Sequence, residues 1–222
     1  MKKSEKTKRN YQKEMENVIL LTNDSLSKPT LLLHACCGPC SSYVLESLFK
    51  YFDITVLYYN PNIYPGEEYN RRFEELKKLY KTFPPALEGK VKVVEIDYEP
   101  EDFYSAIKVR EEPELALEEE KGERCRRCYE LRLRRAFEYA KEHGFNYYCT
   151  TLSISPFKDA EKINVIGEAL QTDQVCWLPS DFKKKGGFKR SLEISQEYGM
   201  YRQEYCGCIY SKNNKKSAII ES

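Results

Sequence analysis

TLLLHA, residues 30–35, is a continuous apolar run of strand length, and CCGPCSSYVLESLFKY, residues 36–51, opens directly from it into a helical pattern. The same alternation repeats along the chain. DITVLYYN (53–60) is a second strand, Pro61 and Pro65 punctuate the loop after it, and EEYNRRFEELKKLYKTF (67–83) is a charged amphipathic helix. VKVVEID (91–97) is the third strand, and RCYELRLRRAFEYAKEHG (127–144) a long helix for which Gly144 is the natural stop. FNYYCTTL (145–152) and VCWLP (175–179) are the fourth and fifth strands, with INVIGEAL (163–170) and RSLEISQEYG (190–199) in helices. Near-continuous apolar strands alternating with helices indicate an α/β fold, a parallel sheet covered by helices on both faces. In such sheets ligands gather at the carboxyl ends of the strands, near the point where strand order reverses. HACCGPC follows the first strand there, and TTLSISPFKD (150–159) the fourth.

Length and charge bound the rest. The 222 residues suit one domain, expected here as residues 30–222 behind a charged N-terminal extension, 1–29. Lys+Arg 36 against Asp+Glu 35 leaves +1, so bulk charge selects no partner and local charge must. The extension carries Lys2, Lys3, Lys6, Lys8, Arg9, Lys13 and Lys28 against Glu5, Glu14, Glu16 and Asp24, and reads as a solvated tail or a helix that docks late. Its one apolar run, Val18–Leu21, is too short for a signal peptide or a membrane span, so a cytoplasmic protein without membrane attachment is expected. Nine cysteines in that reducing compartment are not a disulfide framework, and an odd number cannot all pair.

Seven of the nine fall into three clusters. Cys36, Cys37 and Cys40 occupy a strand-to-helix turn, where free N–H groups favour thiolates, where Gly38 permits a sharp bend and Pro39 suits the first helical turn. Cys125 and Cys128 lie three apart at a helix start, on one face, beside Arg124, Arg126 and Arg127; CxxC alone fits zinc, iron–sulfur or dithiol chemistry. Cys206 and Cys208 flank Gly207, a spacing that suits metal binding or a strained, readily reduced disulfide. Seven thiols exceed the four of a single zinc site. Cys149 and Cys176 lie within strands and read as inert thiols, and His34 as a hydrogen-bonded neighbour of the site rather than a ligand. DFKKKGGFKRS (181–191) reads as a flexible basic loop with Phe182 and Phe188 interleaved, suited to a phosphate backbone.

LLLHACCGPCSS, YNPNIYP, RCRRCYELRL, TTLSISPFKD and GMYRQEYCGCIYS, in that order, resemble the epoxyqueuosine reductases of the QueH type over roughly residues 30–210. The resemblance implies a Rossmann-like sheet of the adenine nucleotide hydrolase group with a Cys-rich C-terminal segment. It implies reductive deoxygenation of epoxyqueuosine at the wobble position of tRNA, the last step of queuosine synthesis. The cofactors implied are a 4Fe–4S cluster and an adjacent iron or redox dithiol, with no cobalamin. Cysteines replace the phosphate loop, so no ATP is expected. Carried onto this chain, Cys36, Cys37, Cys125 and Cys128 are expected to hold the cluster. Cys206 and Cys208, with Cys40, would hold the second iron or act as the redox pair. Lys158, Tyr201, Arg202 and Gln203 are expected to meet substrate. Two electrons would pass one at a time from an electron donor of unspecified nature, the oxygen leaving as water. Tyr201, Tyr205, His34 and Lys158 are the candidate proton sources. The competing readings are an iron–sulfur tRNA thiolation enzyme, which needs the ATP loop this chain lacks, a zinc-binding tRNA-interaction module, and a dithiol oxidoreductase active without metal.

Overall fold

The computed structural model describes residues 9–22 and 27–213. Five strands, β1 (Thr30–His34), β2 (Asp53–Tyr58), β3 (Lys92–Glu95), β4 (Tyr147–Thr150) and β5 (Cys176–Trp177), form one sheet in the order β3-β2-β1-β4-β5. Every pairing is parallel, with Thr30 against Asp53 and Leu31 against Tyr147. The expected parallel α/β sheet is therefore present, in doubly wound order.

The helices are α1 (Tyr11–Thr22), α2 (Gly38–Leu48), α3 (Gly66–Tyr80), α4 (Pro84–Glu88), α5 (Pro100–Ile107), α6 (Glu123–Glu142), α7 (Ala160–Leu170) and α8 (Gly187–Glu197). α2 packs with α3, α4 and α8; α6 packs with α5 and α7. These are the two groups that right-handed crossovers place on opposite faces of the sheet. β1 is central, so Leu31, Leu32 and Leu33 are fully buried. Each contributes roughly 2–3 kcal/mol of apolar burial.

Chain direction reverses between β1, which continues through α2 to β2, and β4, on its other side. The carboxyl ends of β1 and β4 thus flank the crevice that fixes the ligand site of this architecture.

Residues 11–22 adopt the helical one of the two forms considered for the N-terminal segment. Tyr11 and Met15 are buried, and Val18 and Ile19 pack against the main core, at spacings that share a helical face. Arg9 pairs with Glu168 at 2.6 Å and Lys185 with Glu16 at 2.5 Å, joining this helix to α7 and to the segment before α8. The basic residues of positions 1–8, and Asp24, lie outside the described residues. Among the described residues no helix is long and apolar enough to cross a membrane.

One expectation is corrected. The basic segment 181–191 is no open loop with interleaved aromatics. Phe182 is a core residue at 1% exposure, residues Lys184–Gly186 form a 3-10 turn, and Gly187 already begins α8. A Cβ at Gly187 would lie 2.0 Å from the Phe182 carbonyl oxygen and 2.3 Å from the Tyr43 ring, so α8 starts where only glycine fits.

Candidate metal centre

β1 ends in His34 and Ala35, and the chain turns into α2 at Cys36 and Cys37. His34 is fully buried, its ring bridging Thr150 Oγ1 (2.8 Å) and the Tyr59 carbonyl (3.0 Å), so it ties the ends of β1, β2 and β4 together. Burial, with the charge of Arg132 second, lowers its pKa to about 4, which keeps the ring neutral and structural. Pro39 occupies the first turn of α2, where it forfeits no helical hydrogen bond.

The thiols of Cys36, Cys37 and Cys40 lie within 4.8 Å of one another. Cys36 Sγ is 3.8 Å from Cys37 Sγ and 3.8 Å from the Thr151 hydroxyl at the end of β4. The three titrate together. Hydrogen bonds from Cys37 and Cys40 hold Cys36 well below the ordinary thiol range, while burial pushes Cys37 up to about 12. A cation bound among the three would draw their protons off.

The third cluster reaches the site from the far end of the described chain. Cys206 Sγ and Cys208 Sγ are 3.7 Å apart. Gly207 between them has φ +127°, and its carbonyl accepts from the Tyr64 N–H at 2.8 Å. A side chain there would meet Asn62 Nδ2 at 3.0 Å, Ile63 Cγ1 at 3.1 Å and Arg72 Nη1 at 3.2 Å, so glycine is required both for the dihedral and for the fit. Arg72, 1% exposed on α3, clasps this segment, donating to the carbonyls of Cys206 and Tyr205 (3.3 Å each) while Glu68 holds its Nε at 2.7 Å. Ser211 accepts from the Cys206 N–H at 3.2 Å, donates to Glu120 at 2.7 Å, and its own N–H points at Cys208 Sγ (3.4 Å). Hydrogen bonding from Cys208, then the charge of Lys158, lowers the Cys206 pKa well below the usual range.

Cys125 and Cys128 lie buried in the first turns of α6. Cys128 and Cys208 share a small apolar cluster with Phe103 and Ile107, against which Cys206 packs. The geometry therefore gathers Cys36, Cys37 and Cys40 in one group and sets Cys206 and Cys208 beside Cys128. Cys40, expected with the 206–208 pair, lies with its own turn.

Two buried cations join the groups. Arg132, 3% exposed, feels Cys128, Cys36 and Cys206, one member of each cluster, and no carboxylate pairs with it among the described residues. Burial alone would lower the pKa of Lys158, 8% exposed, but the charges around it, Cys206 first and Glu120 among them, outweigh burial and raise it. An unpaired buried arginine and a buried lysine around seven thiols are costly unless the thiols carry negative charge.

Of the residues expected to meet substrate, Gln203 is brought in, donating Nε2 to Cys37 Sγ at 3.0 Å, and Lys158 is brought in as described. Tyr201 and Arg202 are engaged elsewhere. The Tyr201 hydroxyl donates to Glu68 at 3.0 Å beneath the Arg71 guanidinium, and Arg202 donates to Ser195 of α8 at 3.1 Å. The Tyr205 hydroxyl donates to the Tyr64 carbonyl. Arg132, Arg72, Tyr129, Asn60 and Asn62 were not expected in the site. The only trace of Arg132 in the sequence is its position four residues after Cys128 on one helical face.

The donor set suits a metal group. Cys36, Cys37 and Cys40 form one thiol group within 4.8 Å and Cys206 and Cys208 a second at 3.7 Å, and among the buried oxygens without a partner in the described residues are those of Asn60, Asn62, Tyr129 and Gln203. Asn60 donates Nδ2 to the Ala35 carbonyl beside the triad, and Asn62 lies against Gly207. The orphaned oxygens thus border the thiols.

The model of the family described as epoxyqueuosine reductase QueH matches residues 31–214, and with them all seven thiols. This chain belongs to the QueH family of epoxyqueuosine reductases. Three QueH relatives are each covered over 82% or more of their length. The epoxyqueuosine reductase QueH of Staphylococcus epidermidis is 39% identical over 210 residues, 94% of this chain and 87% of the relative. That of Streptococcus pyogenes serotype M1 is 39% identical over 213 residues, 96% and 82%. A more distant QueH, from Thermotoga maritima, is 33% identical over 194 residues, 86% and 95%.

Proposed function

We propose that this chain removes the epoxide oxygen of epoxyqueuosine in tRNA, leaving queuosine, by a two-electron reduction in the cytoplasm that uses neither cobalamin nor ATP. The observation that carries the reading is the Cys36, Cys37 and Cys40 thiol triad at the carboxyl end of β1, within a chain that belongs to the QueH family.

Cys36, Cys37, Cys40, Cys125, Cys128, Cys206 and Cys208 would hold a 4Fe–4S cluster and one further iron, four thiolates sufficing for the cluster and three remaining. Bound there, the cluster and iron would supply single electrons and a Lewis-acidic centre. The protein's own part is definable. Arg132 and Lys158 offset the charge of the thiolates, beside the buried side chains of Phe103, Ile107 and Tyr129. Gln203 fixes Cys37 through its amide N–H and keeps its carbonyl oxygen free for a donor on the substrate. Lys158 Nζ and the unpartnered Tyr129 hydroxyl are the proton-bearing groups nearest the Cys206 side, and they replace Tyr201 and Tyr205 as candidates to protonate the departing oxygen.

The test is anaerobic purification with iron and acid-labile sulfide counting, followed by conversion of epoxyqueuosine-tRNA under a chemical reductant. Brown protein with several irons and a queuosine product is expected. Colourless protein with zinc and no sulfide would overturn the reading, as would a Cys206→Ser variant that turns over like wild type. A Cys→Ser series read by sulfide and iron separately sorts cluster ligands from those of the further iron.

A further inference from the structure

A cavity of about 750 Å³ opens beside the metal centre. Its walls come from three parts of the chain: Arg9, Tyr11 and Gln12 of the N-terminal segment, Pro156 and Lys158–Glu161 after β4, and Asp181 with Lys183–Lys185 before α8. Lys121 completes it. Several of its charges are already matched. Arg9 pairs with Glu14 and Glu168, Lys183 with Asp181 and Lys185 with Glu16, and Asp159 caps α7 through the Lys162 N–H. Among the described residues Lys121, Lys184 and Lys158 form no salt bridge, and of the acids that line the cavity Glu161 likewise forms none.

Lys158 makes this cavity more than a basic surface. It is nine-tenths buried and lines the cavity. The wall leads on to the thiols through Glu120, next to Lys121: Glu120 accepts from Ser211 Oγ at 2.7 Å, and Ser211 Oγ accepts from the Cys206 N–H at 3.2 Å. Its neighbour Phe157 is 64% exposed, although Pro156 before it and Lys158 after it both line the cavity. The turn that presents it is fixed: the Phe157 N–H donates to Ser155 Oγ (3.3 Å), the Lys158 N–H to the Ser155 carbonyl (3.2 Å), and Asp159 begins α7. A lone exposed phenylalanine is unremarkable on a protein surface. On a rigid turn at the rim of a cation-lined cavity, it is the arrangement that holds single-stranded nucleic acid: an aromatic face for an unstacked base and ammonium groups for the phosphates on either side.

Resting on the reading above, we propose that this cavity seats the single-stranded anticodon loop, with Phe157 stacking on a base next to the modified nucleotide and Lys121 and Lys184 meeting the flanking phosphates. The seat explains why α1 is docked onto the α/β unit. It supplies one wall of the groove, through Tyr11 and Gln12. It also gives the strand an approach to Cys206 past Lys158.

The experiment titrates anaerobically prepared protein with a labelled anticodon stem-loop RNA carrying guanosine at the wobble position, so that binding is read without turnover. Phe157→Ala is expected to weaken binding about tenfold and Phe157→Trp to restore it. The Lys121→Ala/Lys184→Ala pair is expected to lower the slope of log affinity against log salt by about 1.4, two single-strand phosphate contacts at about 0.7 each. All three positions are exposed or at the cavity rim and leave the core intact. If the Phe157→Ala and double-lysine proteins bind the stem-loop as wild type does, while wild type converts epoxyqueuosine-tRNA, the seat lies elsewhere and the reductase reading stands. If wild type neither binds the stem-loop nor converts the tRNA, both fall together.

Discussion

Arg132 donates its Nε to the carbonyl of Cys128, one turn earlier on α6, at 3.3 Å, and by that bond its charge is aimed at the thiols instead of at solvent. A cation held so close stabilises whichever oxidation state of the centre is more negative. At an effective dielectric near 20 the interaction of unit charges some 6 Å apart is worth about 3 kcal/mol. Arg132→Met is therefore expected to shift the reduction potential of the bound cluster on the order of 100 mV more negative, and Arg132→Lys by much less. A redox titration followed by electron paramagnetic resonance checks this, and equal potentials in all three proteins would remove Arg132 from the electrostatics of the site.

Gly207→Ala introduces a Cβ into contacts of 3.0–3.2 Å at a φ of +127°. The cost is about 1–3 kcal/mol locally, and the Cys206–Cys208 segment can escape it only by lifting off Asn62 and Arg72. The variant should lose most of its iron and still unfold in one cooperative transition, close to that of the chelated wild-type protein. Iron per chain, measured beside a thermal scan, distinguishes this from general unfolding.

Arg72→Leu removes the donors to the Tyr205 and Cys206 carbonyls and leaves Glu68, 9% exposed, with only the Tyr201 hydroxyl. A destabilisation of about 3 kcal/mol is expected, as for other broken buried pairs. Arg72→Leu/Glu68→Gln should recover part of the stability in urea titration but none of the activity, because the clasp on the third cluster is still missing.

Gly167→Ala sets two effects against each other. Alanine favours the helix by about 1 kcal/mol, but its Cβ would lie 2.2 Å from the Trp177 ring. That indole is pinned by its bond to Asn164 at 3.0 Å and cannot yield cheaply. Overpacking wins, with a net loss of about 1–2 kcal/mol expected. A denaturant midpoint above that of wild type would contradict it.

The sheet was readable because each strand is an apolar run bounded by turn residues, and parallel strands buried on both faces need nothing else. β5 is the exception, only Cys176 and Trp177, because VCWLP turns away after two pairings. Phe182 and Phe188 misled for a general reason: an aromatic among lysines reads the same whether it points to water or to a core, and Phe182 points to the core. The thiols announced the site by type. Arg132 and Arg72 did not, since each lies in a helix full of charged residues, RCYELRLRRAFEYAKEHG and EEYNRRFEELKKLYKTF, where the residue that faces inward is set by packing and not by composition. The side-by-side placement of Cys128 and Cys208 was likewise a matter of topology alone.

Chelation of the metal should leave far-ultraviolet circular dichroism unchanged, since Leu31, Leu32 and Leu33 and their neighbours are buried independently of the site. The melting temperature should fall by about 5–10 °C as the ligand's contribution to stability is lost.

The clasp of Arg72 on Cys206 joins positions 134 apart in sequence. Closing so long a loop carries an entropic cost that grows only slowly with length but must be met once. Here hydrogen bonds from Arg72 to the backbone carbonyls of Cys206 and Tyr205 contribute to meeting it. Small zinc domains, in which the metal itself closes the chain, fold only when loaded. A chain tied in this way by its own side chain is expected to keep the Cys206–Cys208 segment in place when its thiols are emptied of any metal they hold.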